Sequence, residues 1–314
     1  MDRPAAVEAL GRIVSNVETV IRGKRAVVEA SVLALAADGH LLIEDAPGVG
    51  KTVLAKSIAR SIEGSFKRIQ ATPDLLPSDI TGVAVYKQNT SEFEFIPGPI
   101  FANIVVVDEV NRTTPRTQAA LLEAMEERQV TAEGMSRRVP SPFFVIATQN
   151  PLEYHGTYPL PEGQLDRFLI ATSIGYPDSA GEAAVVTEQL LEHPIDRIGP
   201  VLSLGEVEEI QARVRETRIE PLLIDYIVTL VGTTRNHTDL ILGAGPRGSL
   251  SLTRAAQARA LFLGRDYVLP DDIKALAAMV LGHRIVLKPQ LRAGPLAGRG
   301  IISDIVAQIP VPVS

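Results

Sequence analysis

The chain has 314 residues, 46% of them hydrophobic, with 31 lysines and arginines against 37 aspartates and glutamates; it holds one large domain or two ordinary ones, and its mildly acidic balance argues against a general nucleic-acid binder. It has no cysteine, which excludes disulfides, thiolate metal sites and cysteine nucleophiles, and its 4% aromatic content is low for a base-stacking surface. The opening MDRPAAVEALGRIV has no long apolar run behind basic residues, and no run approaches the roughly 18 apolar residues that span a bilayer, so a cytoplasmic protein without direct membrane insertion is expected.

AVEALGRIVSNVETVI and RAVVEASVLALAA carry apolar residues at helical spacing. Gly39 ends the second helix, and HLLIED follows as a short buried strand. A Gly-rich turn, APGVGKT, then leads into TVLAKSIARSI, which reads as a helix. Strand, Gly-rich turn and helix is the context a phosphate-binding loop requires. FKRIQATPDLLPSDITG reads as a strand and a Pro-rich loop, and VAVYKQNTSEFEFIPG as a hairpin turning around QNTS. The β-branched run in FANIVVVDEVNR marks a central parallel strand. TPRTQAALLEAMEERQ reads as a helix with a Thr cap and Pro entry. A second hairpin, VTAEGMSRRVP, turns at Glu133-Gly134; FFVIATQNP is another buried strand, and QLDRFLIATSIGYP gives a short helix and a further strand. Beyond Pro177, AGEAAVVTEQLLEH, LGEVEEIQARVRE, PLLIDYIVTLVGTTRNH, SLSLTRAAQARALFLG and PDDIKALAAMVLGHRI are all read as helices. This order suggests an α/β domain followed by an all-α one. The boundary is expected in LLEHPIDRIGP, dividing residues 1–195 from 196–314.

The usual phosphate loop reads Gly, four residues, Gly-Lys-Ser/Thr. Gly50-Lys51-Thr52 are in place, but Asp45 stands where the first Gly belongs. Asp45 falls at the strand end, before the cradle, and Pro47 stiffens the turn, so the substitution is tolerable. Successive N–H groups along Gly48, Val49, Gly50, Lys51, Thr52 and Val53 are expected to hold phosphate oxygens, with Gly48 and Gly50 allowing close approach. Lys51 would contact the outer phosphates and Thr52 would ligate Mg²⁺. Asp108 and Glu109 end a buried strand, at the sheet edge where ligands bind in such folds. Asp108 would hold the Mg²⁺ shell and Glu109 would polarise the water attacking the γ-phosphate; a solvated acidic pair at a helix N-terminus is the plain alternative. Asn150 either orients that water or simply ends its strand before Pro151.

In this order, APGVGKT, VVVDEVNR, IATQNP, EGQLDRF and GPRGSLSL resemble the MoxR family of AAA+ ATPases, with LLPSDITG, DEVNR, ATQNP and LPEGQLDRF carrying the narrower likeness. The similarity runs from about residue 20 to IPVP near the end. It implies an AAA+ P-loop αβα sandwich with a parallel sheet and a smaller all-α lid domain, working as a homo-oligomeric ring, usually a hexamer, with ATP between subunits. By the same resemblance Arg167 is an arginine finger reaching into the neighbour's site. Arg247 would contact the γ-phosphate of its own subunit and move the lid, and the backbone from Ile21 to Gly23 would meet adenine. The two hairpins are similar to family insertions that project toward the ring pore or rim. Gly245, Gly248 and Gly163 depart from the family pattern, and the first two imply a looser start to the lid helix.

Plainer readings stand beside these. Arg167 could form a surface ion pair with Asp166, worth under about 1 kcal/mol. Arg247 could be an ordinary helix-start residue, although an arginine there opposes the helix dipole and wants an anion. Arg112, Arg137 and Arg138 read as structural or surface residues, and His40, His155, His193, His237 and His283 as packing or solvent-facing, at no metal-ligand spacing. The expected function is an ATP hydrolase that remodels or matures a protein client, with a von Willebrand factor A domain protein as the partner the family implies. A nucleic-acid motor is the second class, disfavoured because QNTSEFEF is acidic and GMSRRVP offers only Arg137 and Arg138. A metal-chelatase-type ATPase subunit is the third. A module that binds nucleotide without hydrolysing it is the fourth; Glu109 and Arg167 speak against it.

Overall fold

The computed structural model describes residues 1–89, 91–132, 134–151, 156–179, 181–183, 187, 194–291 and 297–312. Five strands form one parallel sheet: β1 (Leu41–Glu44), β3 (Phe66–Gln70), β6 (Ile104–Asp108), β9 (Phe144–Gln149) and β10 (Ile170–Thr172). Their order is β10-β1-β9-β6-β3, and every pairing is parallel. All the strand ends that lead into functional loops therefore lie on one edge.

The period of two decides which core each strand residue joins. Leu41, Ile43, Ile104, Val106, Phe144, Ile146 and Ile170 face one side. Leu42, Val105, Val107, Val145, Ala147 and Ala171 face the other. Burial on both faces is why these strands read as unbroken apolar runs. The first side is covered by α1 (Arg3–Glu18), α2 (Arg25–Ala36) and α3 (Lys51–Arg60). Leu54 and Ile58, one turn apart on α3, are both fully buried and each contributes roughly 1.5–3 kcal/mol. After the one-turn helix α4 (Pro77–Thr81), α5 (Pro115–Glu127) covers the second side, buried through Leu121, Leu122 and Met125. Thr114 caps α5 by accepting the Thr117 N–H at 3.4 Å, with Pro115 at the entry, as its sequence predicts.

Both hairpins form. The first pairs β4 (Gly82–Lys87) with β5 (Glu92–Pro97), the second β7 (Gln129–Ala132) with β8 (Met135–Arg138). Thr90 and Glu133, in their turns, lie outside the described residues. The neck of the first hairpin admits only glycine: a Cβ on Gly82 would sit 2.3 Å from the Ile96 carbonyl oxygen, and one on Gly98 2.2 Å from that of Ile80. Arg137 places its guanidinium 3.9 Å from the centre of the Phe95 ring, joining the two hairpins by a cation–π contact worth about 0.5–1 kcal/mol.

After the short α6 (Glu162–Leu165), the C-terminal part holds α7 (Leu204–Glu216), α8 (Pro221–Arg235), α9 (Pro246–Phe262), α10 (Pro270–Leu281) and α11 (Ala297–Gln308). Their apolar faces, including Val207, Leu230, Leu252 and Ala255, share one core with α1 and α2. Short strands that lack a readable period also appear: β2 (Ile62–Glu63) pairs with β11 (Leu202–Ser203), and β12 (Leu240–Leu242) with β13 (Val286–Leu287). A Cβ on Gly248 would come 3.1 Å from Leu281, so this glycine fits α9 closely against α10 rather than loosening its start. Most of AGEAAVVTEQLLEH, and with it the first part of LLEHPIDRIGP, lies outside the described residues. Among the described residues no helix is long and apolar enough to cross a membrane.

Candidate nucleotide site

Asp45 departs from the loop motif because its carboxylate has another task. Oδ1 accepts the Ala46 N–H at 2.9 Å, and Oδ2 accepts those of Ile174 and Gly175 at 2.8 and 2.6 Å. It stitches the start of the loop to the chain leaving β10. Gly48 and Gly50 take φ of +81° and +94°, a region that costs other residues strain. Among the described residues the N–H groups of Gly48, Val49 and Gly50 meet no protein acceptor. They stand directly before α3, so donors and helix dipole converge on one place suited to an anion. Lys51 is buried, and its ammonium donates to the carbonyls of Asp45 and, at 2.8 Å, Ala46. Thr52 and Val53 continue the first turn of α3, with Val53 packed on the core.

Ile21 is buried in the core and Gly23 has φ of +70°. Next to them, Lys24 Nζ donates to the Tyr176 carbonyl at 2.8 Å. The 21–24 turn thus meets segment 174–176, which Asp45 ties to the loop.

Asp108 ends β6 almost fully buried. Its Oδ1 accepts the Thr52 hydroxyl at 2.9 Å and that of Thr148 at 3.4 Å; its Oδ2 accepts Arg68 Nε at 2.6 Å. Glu109 follows in the left-handed region at φ 57°, sparsely populated for a non-glycine residue. Its N–H donates to Thr148 Oγ1 at 3.0 Å, and its carboxylate accepts Arg112 Nη1 at 3.0 Å. That backbone turn separates the pair, leaving the Asp108 side chain 4% exposed and the Glu109 side chain 32% exposed. The two are therefore not equivalent solvated acids at a helix start. Asn150 is buried after β9, its carbonyl accepting Asn111 Nδ2 at 3.0 Å.

Loop, Thr52, Asp108, Glu109 and Asn150 meet at the carboxyl edge of the sheet. Thr52 and Asp108 supply two oxygen ligands side by side, which suits Mg²⁺, an ion that keeps several waters and takes phosphate oxygens. Among the described residues no cluster of three or more His, Cys, Asp or Glu side chains could hold a metal instead.

Sequence reasoning missed Arg68, Thr148 and Arg112, which touch the two carboxylates. Arg112 is half-exposed, as expected, yet it pairs with Glu109. The available signals were Thr148 within ATQNP and Arg112 three residues after Glu109; nothing in FKRIQ singled out Arg68.

The two arginines lie elsewhere. Arg167 sits between α6 and β10, with Nε donating to Glu126 Oε2 at 2.7 Å and Nη1 to the Gly163 carbonyl at 2.9 Å. Arg247, in the first turn of α9, pairs with the other Glu126 oxygen and approaches Asp166 Oδ2 at 3.7 Å. Burial tends to raise the Glu126 pKa, but the charges and hydrogen bonds of Arg167 and Arg247 hold it below the usual range. The hollow they line also contains Gly39 and His40, which precede β1, and Leu169, which precedes β10.

This is the amino edge of the sheet. Arg247, expected at the γ-phosphate of its own subunit, stands away from the loop in this structure: α9 packs on α2, α7 and α10, and its first turn lies at the edge opposite the loop. Arg167 likewise pairs with Glu126, not with its neighbour Asp166. His40 is buried, its Nδ1 accepting the Val145 N–H and its Nε2 donating to the Met125 carbonyl, both at 3.1 Å. His237 Nδ1 accepts the Asp239 N–H, and His283 is held in the interior above Phe168. His155 and His193 lie outside the described residues.

A parallel sheet in this order, a phosphate loop at its carboxyl edge and a helical C-terminal part define a AAA-type P-loop ATPase. Residues 40–170 match the model of the ATPase family associated with various cellular activities, and residues 232–305 match that of the AAA lid domain. The chain is 49% identical to the uncharacterised protein YeaC of Bacillus subtilis, over 97% of this chain and 95% of that one. It is 38% identical to chaperone MoxR1 of Mycobacterium tuberculosis, over 98% and 84% of the two chains. A crystal structure of a candidate ATPase from Cytophaga hutchinsonii superposes with a TM-score of 0.90 at 35% identity, covering 99% of this chain and 97% of that one. The chain belongs to the MoxR family of AAA+ ATPases, and it binds and hydrolyses ATP.

Proposed function

We propose that the protein works as a homo-oligomeric ring, a hexamer by family habit, in which each ATP with its Mg²⁺ lies at a subunit boundary and its hydrolysis drives remodelling or maturation of a protein client in the cytoplasm. One observation carries this reading. Arg167 and Arg247 share Glu126 at the amino edge of the sheet, whereas the phosphate loop is at the carboxyl edge. This placement supports the reading, because a neighbour in a head-to-tail ring can receive both guanidiniums at its nucleotide.

In this mechanism the free amides of Gly48, Val49 and Gly50 cradle the phosphates, and Lys51 exchanges its carbonyl partners for the outer phosphates. Thr52 and Asp108 hold the cation, which when bound neutralises charge on the phosphates. Glu109 accepts the proton of the attacking water as its Arg112 contact yields, and Asn150 orients that water. Arg167 and Arg247 of the adjoining copy meet the charge that develops in the transition state, Arg167 as the finger. The hairpins carry Tyr86, Phe93, Ile96 and Met135 exposed, apolar side chains suited to gripping a protein rather than a nucleic acid. A von Willebrand factor A domain protein is the partner we expect to present the client.

The test is turnover per subunit against protein concentration. It should rise as rings assemble, and Arg167→Ala should stay flat, about 10³-fold or more below the natural chain at saturation. Full turnover by a strictly monomeric chain would overturn the reading.

A further inference from the structure

Arg284, three residues past α10, is more deeply buried than any other arginine whose contacts bear on the site, with its side chain 2% exposed. Its fork is spent on the segment that carries the finger. Nε donates to Asp166 Oδ1 at 2.8 Å, and Nη2 to the carbonyls of Asp166 and Phe168 at 3.1 and 2.6 Å. Nη1 donates to the Leu169 carbonyl at 3.2 Å. The same guanidinium reaches back into the C-terminal helices, to Ser251 Oγ of α9 at 3.0 Å and to the Val280 carbonyl of α10. Burial lowers its pKa to about 10, with Asp166 pulling the other way, so it stays charged at neutral pH. A buried cation tolerates this only while its acceptors are held in place.

Arg284 thus binds the residues on both sides of Arg167 without touching Arg167 itself. Two rigid helices are joined through one fork to a four-residue turn. Across the cluster, the three guanidiniums of Arg167, Arg247 and Arg284 face two carboxylates, Glu126 and Asp166, leaving one positive charge in excess. An anion from outside the subunit would balance it.

We propose that Arg284 is a positioning residue for hydrolysis in the adjoining subunit: it locks the 166–169 turn to α9 and α10, so that the placement of these C-terminal helices sets the aim of Arg167 across the boundary. This rests on the ring reading above. A purely structural role predicts loss of fold or of stability; the coupling role predicts a defect confined to the neighbour's site.

The experiment is mixing of variants at fixed total protein. Arg284→Lys keeps the charge but not the planar fork. It should turn over about 100-fold more slowly, as expected for a reacting group misplaced by an ångström, while its dissociation constant for a fluorescent ATP analogue is unchanged. Lys51→Ala has a dead loop but an intact finger and an intact Arg284. In an equal random mixture, about a quarter of boundaries in a head-to-tail ring join a sound loop to a sound finger, and turnover should recover toward that fraction. Arg167→Ala mixed with Lys51→Ala is the reference and should recover equally. Recovery there but not with Arg284→Lys would reduce Arg284 to a structural residue. Natural turnover by Arg284→Lys alone would also remove the proposal, and recovery in neither mixture would remove the ring reading and this one with it. If circular dichroism shows Arg284→Lys unfolded, Asp166→Asn, which retains the carbonyl contacts, takes its place with the same expected outcomes.

Discussion

At the edge of the sheet where the strands end, the groups offered to a ligand are main-chain amides of Gly48 to Gly50, the Thr52 hydroxyl and two carboxylates. At the edge where the strands begin, they are guanidiniums gathered by Glu126 and Asp166. The first edge is local in sequence around its loop, with strand and helix fixing the amides. The second is assembled from α5, the turn after α6 and two C-terminal helices, which meet only on folding. One edge suits a triphosphate and its metal; the other suits the charge such a group develops when it is cleaved. Their separation is what the proposed sharing of one site between adjoining copies rests on.

The largest effect that sharpens this contrast should come from Glu109→Gln. It removes the proton acceptor at the carboxyl edge and should slow hydrolysis about 10²–10⁴-fold while a fluorescent ATP analogue still binds. Unchanged turnover would take Glu109 out of its role. Arg247→Ala should cost about 100-fold, the scale of losing one donor to a developing charge, and mixing it with Lys51→Ala should restore turnover. If that mixture stays inactive, Arg247 serves its own subunit and the division between the two edges breaks.

Smaller effects concern stability. Burial, more than the nearby Arg128 charge, lowers the His40 pKa to about 3. With a folded value far below the ordinary histidine value of 6.5, the unfolded chain binds a proton that the folded chain refuses between those limits. Stability is thus fully present above about pH 6.5 and is lost as pH falls toward 3, by at most about 1.4 kcal/mol per pH unit. Denaturant melts of the natural chain and His40→Gln should differ in that slope; equal slopes would exonerate His40. Finally, Asp45→Gly restores the glycine of the usual motif, yet it should destabilise the protein by about 1–3 kcal/mol by freeing the Ile174 and Gly175 amides. A thermal melt equal to that of the natural chain would show that those bonds carry nothing.

The nucleotide edge was largely legible because its parts follow one another: apolar strand, glycines, Lys51, Thr52, helix. The carboxylate pair was legible as the end of IVVVDE, but the different burial of Asp108 and Glu109 was not, since it arises from one left-handed residue. The long amphipathic helices were readable from their period, whereas two- and three-residue strands such as β11 and β12 carry no period to read. Arg68 and Glu126 were invisible because the partners that give them meaning are 40 or more residues away.

What the sequence alone determined is the local form of the site: a Gly-rich loop with Lys51 and Thr52 between a strand and a helix, and a carboxylate pair closing a second strand. Local order suffices for that, because a loop between a strand and a helix fixes its own amides. The tertiary structure decided on which edge of the sheet each group stands. The direction of a parallel sheet and the docking of α9 against α2, α7 and α10 set Arg247 and Arg167 on one edge and the loop on the other, and no spacing along the chain encodes an edge.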